Sequence, residues 1–385
     1  MVWYHQFMII PRLLQPNLKK SVQPGHVVVV YGPRRVGKTS LIEEFINNYE
    51  GKQLFLNADE LVNREALEVQ NASALASLVE GYDLLVVDEA QRVSNIGLNL
   101  KILVDTQPQL KIIATGSASF ELANKISEPL TGRKTTLSLF PISFTEMFNH
   151  FGSHVAHTKL ETMLIYGGYP QSVTAASAVK KATFLDELLG SYLYKDVLEL
   201  ESIRRSEKIV DLLRLIAFQI GQEVSIAELA TNLSLNHQTV ERYLDLLEKV
   251  FVIYRVAGFS RNLRKEISKN DRYYFFDLGV RNSLIQNFNK LSIRNDVGQL
   301  WENFIFTERI KHLHYNNQSV NRYFWRTYDQ KEIDLVEEAK GKISGYEIKW
   351  KKSSVPQKTK LEFKAAYPGS SVEVINSENF VTFIS

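Results

Sequence analysis

Between positions 26 and 141 apolar residues fall into short runs separated by longer, helix-period stretches. Val27–Tyr31 is a continuous β-branched run, the pattern of a strand covered on both faces of a parallel sheet. Gln53–Asn57, Leu84–Asp88, Ile112–Thr115 and Thr135–Leu139 are further strand candidates. This alternation predicts an α/β doubly wound domain with a parallel sheet, ending near Phe140-Pro141. Residues 1–24 read as a lead-in, helical around Arg12-Leu13-Leu14 and closed by Pro24-Gly25. From Ser143 to Arg205 the period is helical, broken at Gly167-Gly168-Tyr169-Pro170, which predicts a small helical subdomain. Three helices and a strand pair are expected from Ser206 to about Asp277. From Leu291 onward one amphipathic helix should precede a run of short strands. No repeat or low-complexity linker interrupts the pattern.

Composition narrows the classes. A chain of 385 residues is too long for one ordinary core, so several domains are expected. Hydrophobic residues at 44% and charged residues at 23% give an ordinary globular balance, which argues against disorder. No apolar run reaches bilayer length, and Met1-Val2-Trp3-Tyr4-His5-Gln6 lacks the basic start of a secretory signal. With no cysteine there is no disulfide framework, thiolate zinc site or iron–sulfur cluster. A cytoplasmic protein without membrane contact is the expectation. The net charge of +3 permits a nucleic-acid partner without requiring one.

Gly32-Pro33-Arg34-Arg35-Val36-Gly37-Lys38-Thr39 matches the phosphate-loop pattern at every fixed position, between a buried strand and a helix. Gly32 and Gly37 let backbone amides curl around phosphates at a helix N-terminus, so Gly32 through Ser40 are the expected ATP contacts. Lys38 is expected on the β- and γ-phosphates, and the Thr39 hydroxyl on magnesium. Leu84-Leu85-Val86-Val87-Asp88-Glu89 reads as a Walker B strand. There Asp88 would hold magnesium through a water, and Glu89 would orient or deprotonate the attacking water. One strand candidate separates the two motifs, which predicts an extra strand between theirs in the sheet. Either Thr115 or Ser117 senses the γ-phosphate, or Ser117 or Ser119 caps a helix. Arg133 is a candidate arginine finger, in cis or across the boundary of a homo-oligomer, or else a surface arginine before a strand.

Ser225-Ile226-Ala227-Glu228 reads as a capping box opening a short helix, and Leu233–Asn236 as a turn into the helix His237–Lys249. Val240, Leu244, Leu247 and Val250 form its inward stripe. Phe251–Val256 and Arg272–Asp277 would then make a wing, giving helix-turn-helix spacing with a β-hairpin. His237, Gln238, Glu241, Arg242, Asp245 and Glu248 suit a DNA groove poorly. Arg261, Arg264, Lys265, Lys269 and Arg272 outnumber Glu266 and Asp271 and could neutralise phosphates. The wing either touches DNA or packs as a nucleotide-responsive element.

Gln330–Glu337 and Lys342–Lys351 read as strands joined at Lys340-Gly341. A two-residue turn sets Asp334 opposite Glu347, with Ile333–Ile348 and Leu335–Tyr346 on the other face. Lys349 projects beside both carboxylates. This is the arrangement of PD-(D/E)xK nucleases, in which the carboxylates, here Asp334 and Glu347, hold magnesium and the lysine stabilises charge or helps activate water. Glu302 on the preceding helix is a further acid for that site, and Ile333 stands where a proline would complete the pattern. The other reading is a surface ion pair between Asp334 and Lys349.

The chain also resembles a prokaryotic family of AAA+-type ATPases whose C-terminal region has no settled function. The resemblance rests on Gly32–Ser40, Asp88-Glu89-Ala90-Gln91, Thr115-Gly116-Ser117, Gly132-Arg133, Pro141-Ile142-Ser143-Phe144 and Gly167-Gly168-Tyr169-Pro170. Tyr194-Lys195-Asp196, Thr239-Val240-Glu241-Arg242-Tyr243-Leu244 and Leu300-Trp301-Glu302-Asn303 extend it. It implies an ATPase core over 1–142, a helical lid over 143–205, a winged helix over 206–290 and a nuclease-like fold over 291–385. The expected function is magnesium-dependent ATP hydrolysis acting on DNA, with an appended nuclease-like module. The alternative is a nucleotide-gated protein-interaction switch on an inactive C-terminal scaffold.

Overall fold

The computed structural model describes residues 9–116, 130–201, 206–261 and 270–385, with the backbone alone over 191–201 and at 206. The chain forms two compact units, Ile9–Pro141 and Ile142–Ser385.

The first unit holds five parallel strands: β1 (Val27–Tyr31), β2 (Gln53–Asn57), β3 (Leu84–Asp88), β4 (Lys111–Gly116) and β5 (Lys134–Ser138). Their order is β2-β3-β4-β1-β5. β4 therefore lies between the strands of the two motifs, as the motif order predicts. β1 and β3 are buried along their whole length, which is why their sequences are continuous rather than alternating. Helices Lys38–Asn47 and Ile96–Thr106 bury Leu41, Ile42 and Phe45, and Ile96, Leu100, Leu103 and Val104. The parallel pairing brings the C-terminal ends of β1 and β3 to one edge, where loops can gather around a ligand.

In the second unit the helix Phe144–Phe151 opens with a full capping box between Ser143 and Glu146. Helices Ser153–Thr158, Leu160–Tyr166, Pro170–Thr174 and Ala178–Glu201 follow, then Ser206–Phe218, Ile226–Leu233 and His237–Lys249. Val240, Leu244, Leu247 and Val250 are buried, as their spacing predicts. Seven strands form one sheet: β6 (Glu223–Val224), β7 (Ile253–Gly258), β8 (Asp271–Phe275), β9 (Asn321–Arg326), β10 (Glu332–Ala339), β11 (Lys342–Ile348) and β12 (Ser371–Ile375). Their order is β12-β11-β10-β9-β7-β8-β6. β7 pairs in parallel with β9, so the strand pair before residue 290 and the strands after it share one ladder.

Two local features depart from simple pattern reading. The helix Val297–Tyr315 is not amphipathic, because Asn303, Thr307, Glu308 and Lys311 are as buried as Leu300, Trp301 and Phe306. These four polar side chains are satisfied internally. Asn303 exchanges two 2.8 Å hydrogen bonds with the Phe275 backbone, and Glu308 accepts from Phe144 N–H and Lys311 Nζ at 2.7 Å each. At Gly167-Gly168, Asp277 reaches in to accept the Gly168 N–H at 2.7 Å. A Cβ on Gly167 would lie 2.0 Å from Asp277 Oδ1, and one on Gly168 2.3 Å from the Ile142 carbonyl oxygen. The glycine pair is therefore a packing requirement of this unit.

Candidate functional site

At the end of β1 the chain turns at Gly32, where a Cβ would lie 2.2 Å from the Leu139 carbonyl oxygen. Arg35 and Gly37 take left-handed conformations (φ 59° and 96°), and the loop curls into the helix Lys38–Asn47. Pro33 and Val36 are buried, Arg34 is half-buried, and Arg35, Thr39 and Ser40 are exposed. The Lys38 side chain folds back over the loop, with Nζ donating to the Gly32 and Pro33 carbonyls at 2.9 and 3.0 Å.

Asp88, 4% exposed at the end of β3, joins the pieces. Its Oδ2 accepts from the Thr39 hydroxyl at 2.9 Å, and its Oδ1 accepts from the Thr115 hydroxyl and the Glu89 N–H. Glu89 is left-handed (φ 52°), and its carboxylate accepts a hydrogen bond from the Gln91 side-chain amide. A curled amide loop, a lysine, a hydroxyl and two successive carboxylates thus share one sheet edge. That donor set suits a phosphate chain with a hard cation.

Arg133 is not brought to this edge. It precedes Lys134, which pairs with Val27 at the start of β1, whereas the loop follows Tyr31 at its end. A strand of that length, at about 3.3 Å per residue, separates them, and the guanidinium is paired with exposed Asp105. Within this unit the finger reading in cis therefore fails on geometry. Ser117 and Ser119 lie outside the described residues.

A second cluster forms in the seven-stranded sheet. Leu335 pairs with Tyr346 through a turn at left-handed Lys340 and Gly341, the two-residue turn that the sequence predicts. Asp334 is 2% exposed; its Oδ2 accepts the Ile348 N–H at 2.7 Å and lies 3.4 Å from Lys349 Nζ. Lys349 Nζ stands 2.8 Å from Glu347 Oε1, so the three residues do meet. The expected faces do not hold, because the β9–β10 register shifts between Ile333 and Val336 and both pack beside Phe363 and Trp325. A β-bulge of this kind re-aims side chains, and Asp334 sits within it.

Glu302 accepts from the Tyr274 hydroxyl at 2.6 Å and lies 3.7 Å from the Arg272 guanidinium. Arg272, 4% exposed, also meets Glu332 at 2.8 Å and lies over the Phe324 ring at 4.4 Å. It is thus unavailable to a phosphate backbone, which removes it from the predicted basic wing. Arg261 is paired with Glu338, and Arg264, Lys265, Glu266 and Lys269 lie outside the described residues.

Burial, aided by the charge of Asp334, pushes Glu302 up to about 8 and Glu347 up to about 7. Burial likewise raises Asp334. Burial alone would lower Lys349, but Asp334 and Glu347 outweigh it and hold the ammonium charged. Glu347 Oε2 is buried without a hydrogen-bond partner. Among the described residues no group of three or more His, Cys, Asp or Glu side chains is arranged to hold a metal ion. Asp334 and Glu347 remain a pair, a number of carboxylates that magnesium often takes together with substrate oxygens.

Sequence reading missed Arg12, Tyr274 and Glu332. Arg12 arrives from the lead-in, whereas Tyr274 and Glu332 stand two residues from Arg272 and Asp334 on β8 and β10, and only the fold brings Glu302 and Arg272 to them.

Residues 24–148 match a family profile described as "AAA domain". That match spans most of the first unit. Residues 157–291 and 297–383 match two profiles, each described as a domain of unknown function, DUF8612 and DUF4143. An uncharacterized protein of Mycobacterium tuberculosis is 28% identical over 337 residues, covering 86% of this chain and 72% of that one. One from Methanocaldococcus jannaschii is 25% identical over 316 residues, covering 77% and 69%. A crystal structure titled as a signal transduction ATPase with numerous domains, carrying a tetratricopeptide repeat sensor, from Pyrococcus horikoshii, aligns at TM-score 0.31 and 13% identity. It covers 80% of this chain, which in turn spans 47% of that one. No helix among the described residues is long and apolar enough to cross a membrane.

Proposed function

We propose that this protein binds ATP with magnesium at Gly32–Ser40 and hydrolyses it. The observation that carries the reading is the Thr39–Asp88 contact at 2.9 Å beside the curled loop, a hydroxyl and a carboxylate facing one point at the sheet edge. Backbone amides and Lys38 would hold the phosphates, Thr39 and Asp88 would hold the cation, and Glu89 would take the proton of the water that attacks the γ-phosphorus as the bond to ADP breaks. The cation, when bound, neutralises charge that develops on the phosphates. Glu89 is free for that task once Gln91 releases its carboxylate. The test is phosphate release by the purified protein with magnesium, against EDTA and against Lys38→Ala. Release that needs magnesium and is lost in Lys38→Ala supports the reading; equal release by Lys38→Ala defeats it.

A second reading concerns the 142–385 unit, read as a winged helix joined to a nuclease-like fold that acts on DNA. Its support is the meeting of Asp334, Glu347 and Lys349, with Glu347 Oε2 lacking a partner. Asp334 and Glu347 would hold magnesium, and Lys349 would steady a phosphate. Cleavage of linear, circular or branched DNA that Asp334→Ala abolishes supports it. No cleavage of any form leaves the alternative, a nucleotide-gated protein-interaction switch in which the cluster is a scaffold.

A further inference from the structure

We infer that Arg12 positions the phosphate loop for nucleotide, acting through the Val36–Gly37 peptide; this rests on the ATP reading above. Arg12 is 8% exposed in the lead-in before the first strand. Its Nη1 donates to the Val36 carbonyl at 2.9 Å, and its Nη2 to the Phe140 carbonyl at 2.5 Å. Leu14 and Leu18 behind it are fully buried, so the segment that carries Arg12 is anchored.

The consequence follows from peptide geometry. In a trans peptide the carbonyl and the N–H point opposite ways. A Val36 carbonyl turned toward Arg12 therefore directs the Gly37 N–H away from it. Gly37 is the residue at which the loop enters the helix Lys38–Asn47, and it is left-handed there. Arg35 is also left-handed, and Gly37, the N-cap of that helix, has no side chain with which to fix its own peptide plane. A planar, permanently charged guanidinium with two backbone acceptors fixes it. The Phe140 contact ties the same group to the chain just past β5, next to Leu139, whose carbonyl crowds Gly32. One buried arginine thus ties the end of the loop to the chain that flanks its start.

Arg12 touches no phosphate in this account and is a positioning residue. The test is a titration of a fluorescent ATP analogue with magnesium, with KM and kcat measured in parallel. Wild type, Lys38→Ala, Arg12→Lys and Arg12→Ala are compared, the last with and without millimolar free guanidinium. Arg12→Ala is expected to weaken binding and raise KM roughly tenfold to hundredfold, with kcat changed by less than about threefold. Guanidinium should restore part of the affinity, and Arg12→Lys should fall between. If Arg12→Ala fails to melt cooperatively, Arg12→Lys carries the test by its raised KM. A wild type that binds while Arg12→Ala binds equally overturns the role of Arg12 alone. So does a loss shared by KM and kcat that neither guanidinium nor lysine recovers. A wild type that binds no better than Lys38→Ala defeats the ATP reading itself, and this inference with it.

Discussion

The two clusters are built in opposite ways. The first is made mostly of backbone: eight consecutive residues curl at the end of β1, and Thr39, Asp88 and Thr115 close on it through hydrogen bonds. The second is made of side chains from three strands and one helix, with Glu302, Asp334 and Glu347 crowded around Lys349 and Arg272. Backbone cradles of this kind cost little when empty, because their amides are solvated and their charges few. A crowd of buried carboxylates opposes folding unless cations, protons or a bound ion neutralise it. Damage to the first should therefore appear in binding and turnover, and damage to the second in stability.

The largest expected effect is at Arg272. Replacing it by methionine leaves Glu302 without its buried cation, and the 142–385 unit should lose about 3–5 kcal/mol. Denaturant unfolding of that unit measures this, and Arg272→Met combined with Glu302→Gln should recover part of the loss. A single variant as stable as wild type would break the contrast between the clusters. Next in size is Gly168→Ala, whose new Cβ meets the Ile142 carbonyl oxygen at 2.3 Å. It should cost about 1–3 kcal/mol or more in the same unit while leaving ATP binding unchanged.

The smallest effect concerns pH. Glu302 and Glu347 are raised to about 8 and about 7, above their unfolded values. A carboxyl raised on folding contributes its full stability below the unfolded pKa and loses it as pH climbs through the folded one. The unit's melting temperature should thus fall between about pH 5 and pH 8.5, less steeply in Glu302→Gln. Parallel slopes in the two proteins would show that Glu302 does not hold the proton. If the pair binds magnesium, adding it at the alkaline end should restore the melting temperature, since the cation replaces the lost protons.

How much was legible follows the same contrast. The phosphate loop and the Asp88-Glu89 pair are contiguous, so spacing alone names them and places them at strand ends. The strands beside them read clearly because burial on both faces makes them continuous in β-branched residues. In the second unit the turn at Lys340-Gly341 was also legible, since two residues there demand left-handed backbone. What spacing could not reveal is the bulge that places Asp334, because it depends on the partner strand β9. Nor could it reveal that Arg272 is buried: an arginine in a basic run reads as surface until Phe324, Glu302 and Glu332 enclose it. The helix Val297–Tyr315 misled for a related reason, since its internally bonded Asn303, Thr307, Glu308 and Lys311 look like a solvent face.

If the loop and Asp88-Glu89 form one hydrolytic site, Glu89→Gln should separate binding from turnover. Removing a positioned base typically costs about 10²–10⁴ in rate. The glutamine variant should bind ATP with magnesium as tightly as wild type while its turnover falls by about that range. Turnover at the wild-type rate in Glu89→Gln would mean that Glu89 is not the base and that the loop and Asp88-Glu89 do not form one hydrolytic site.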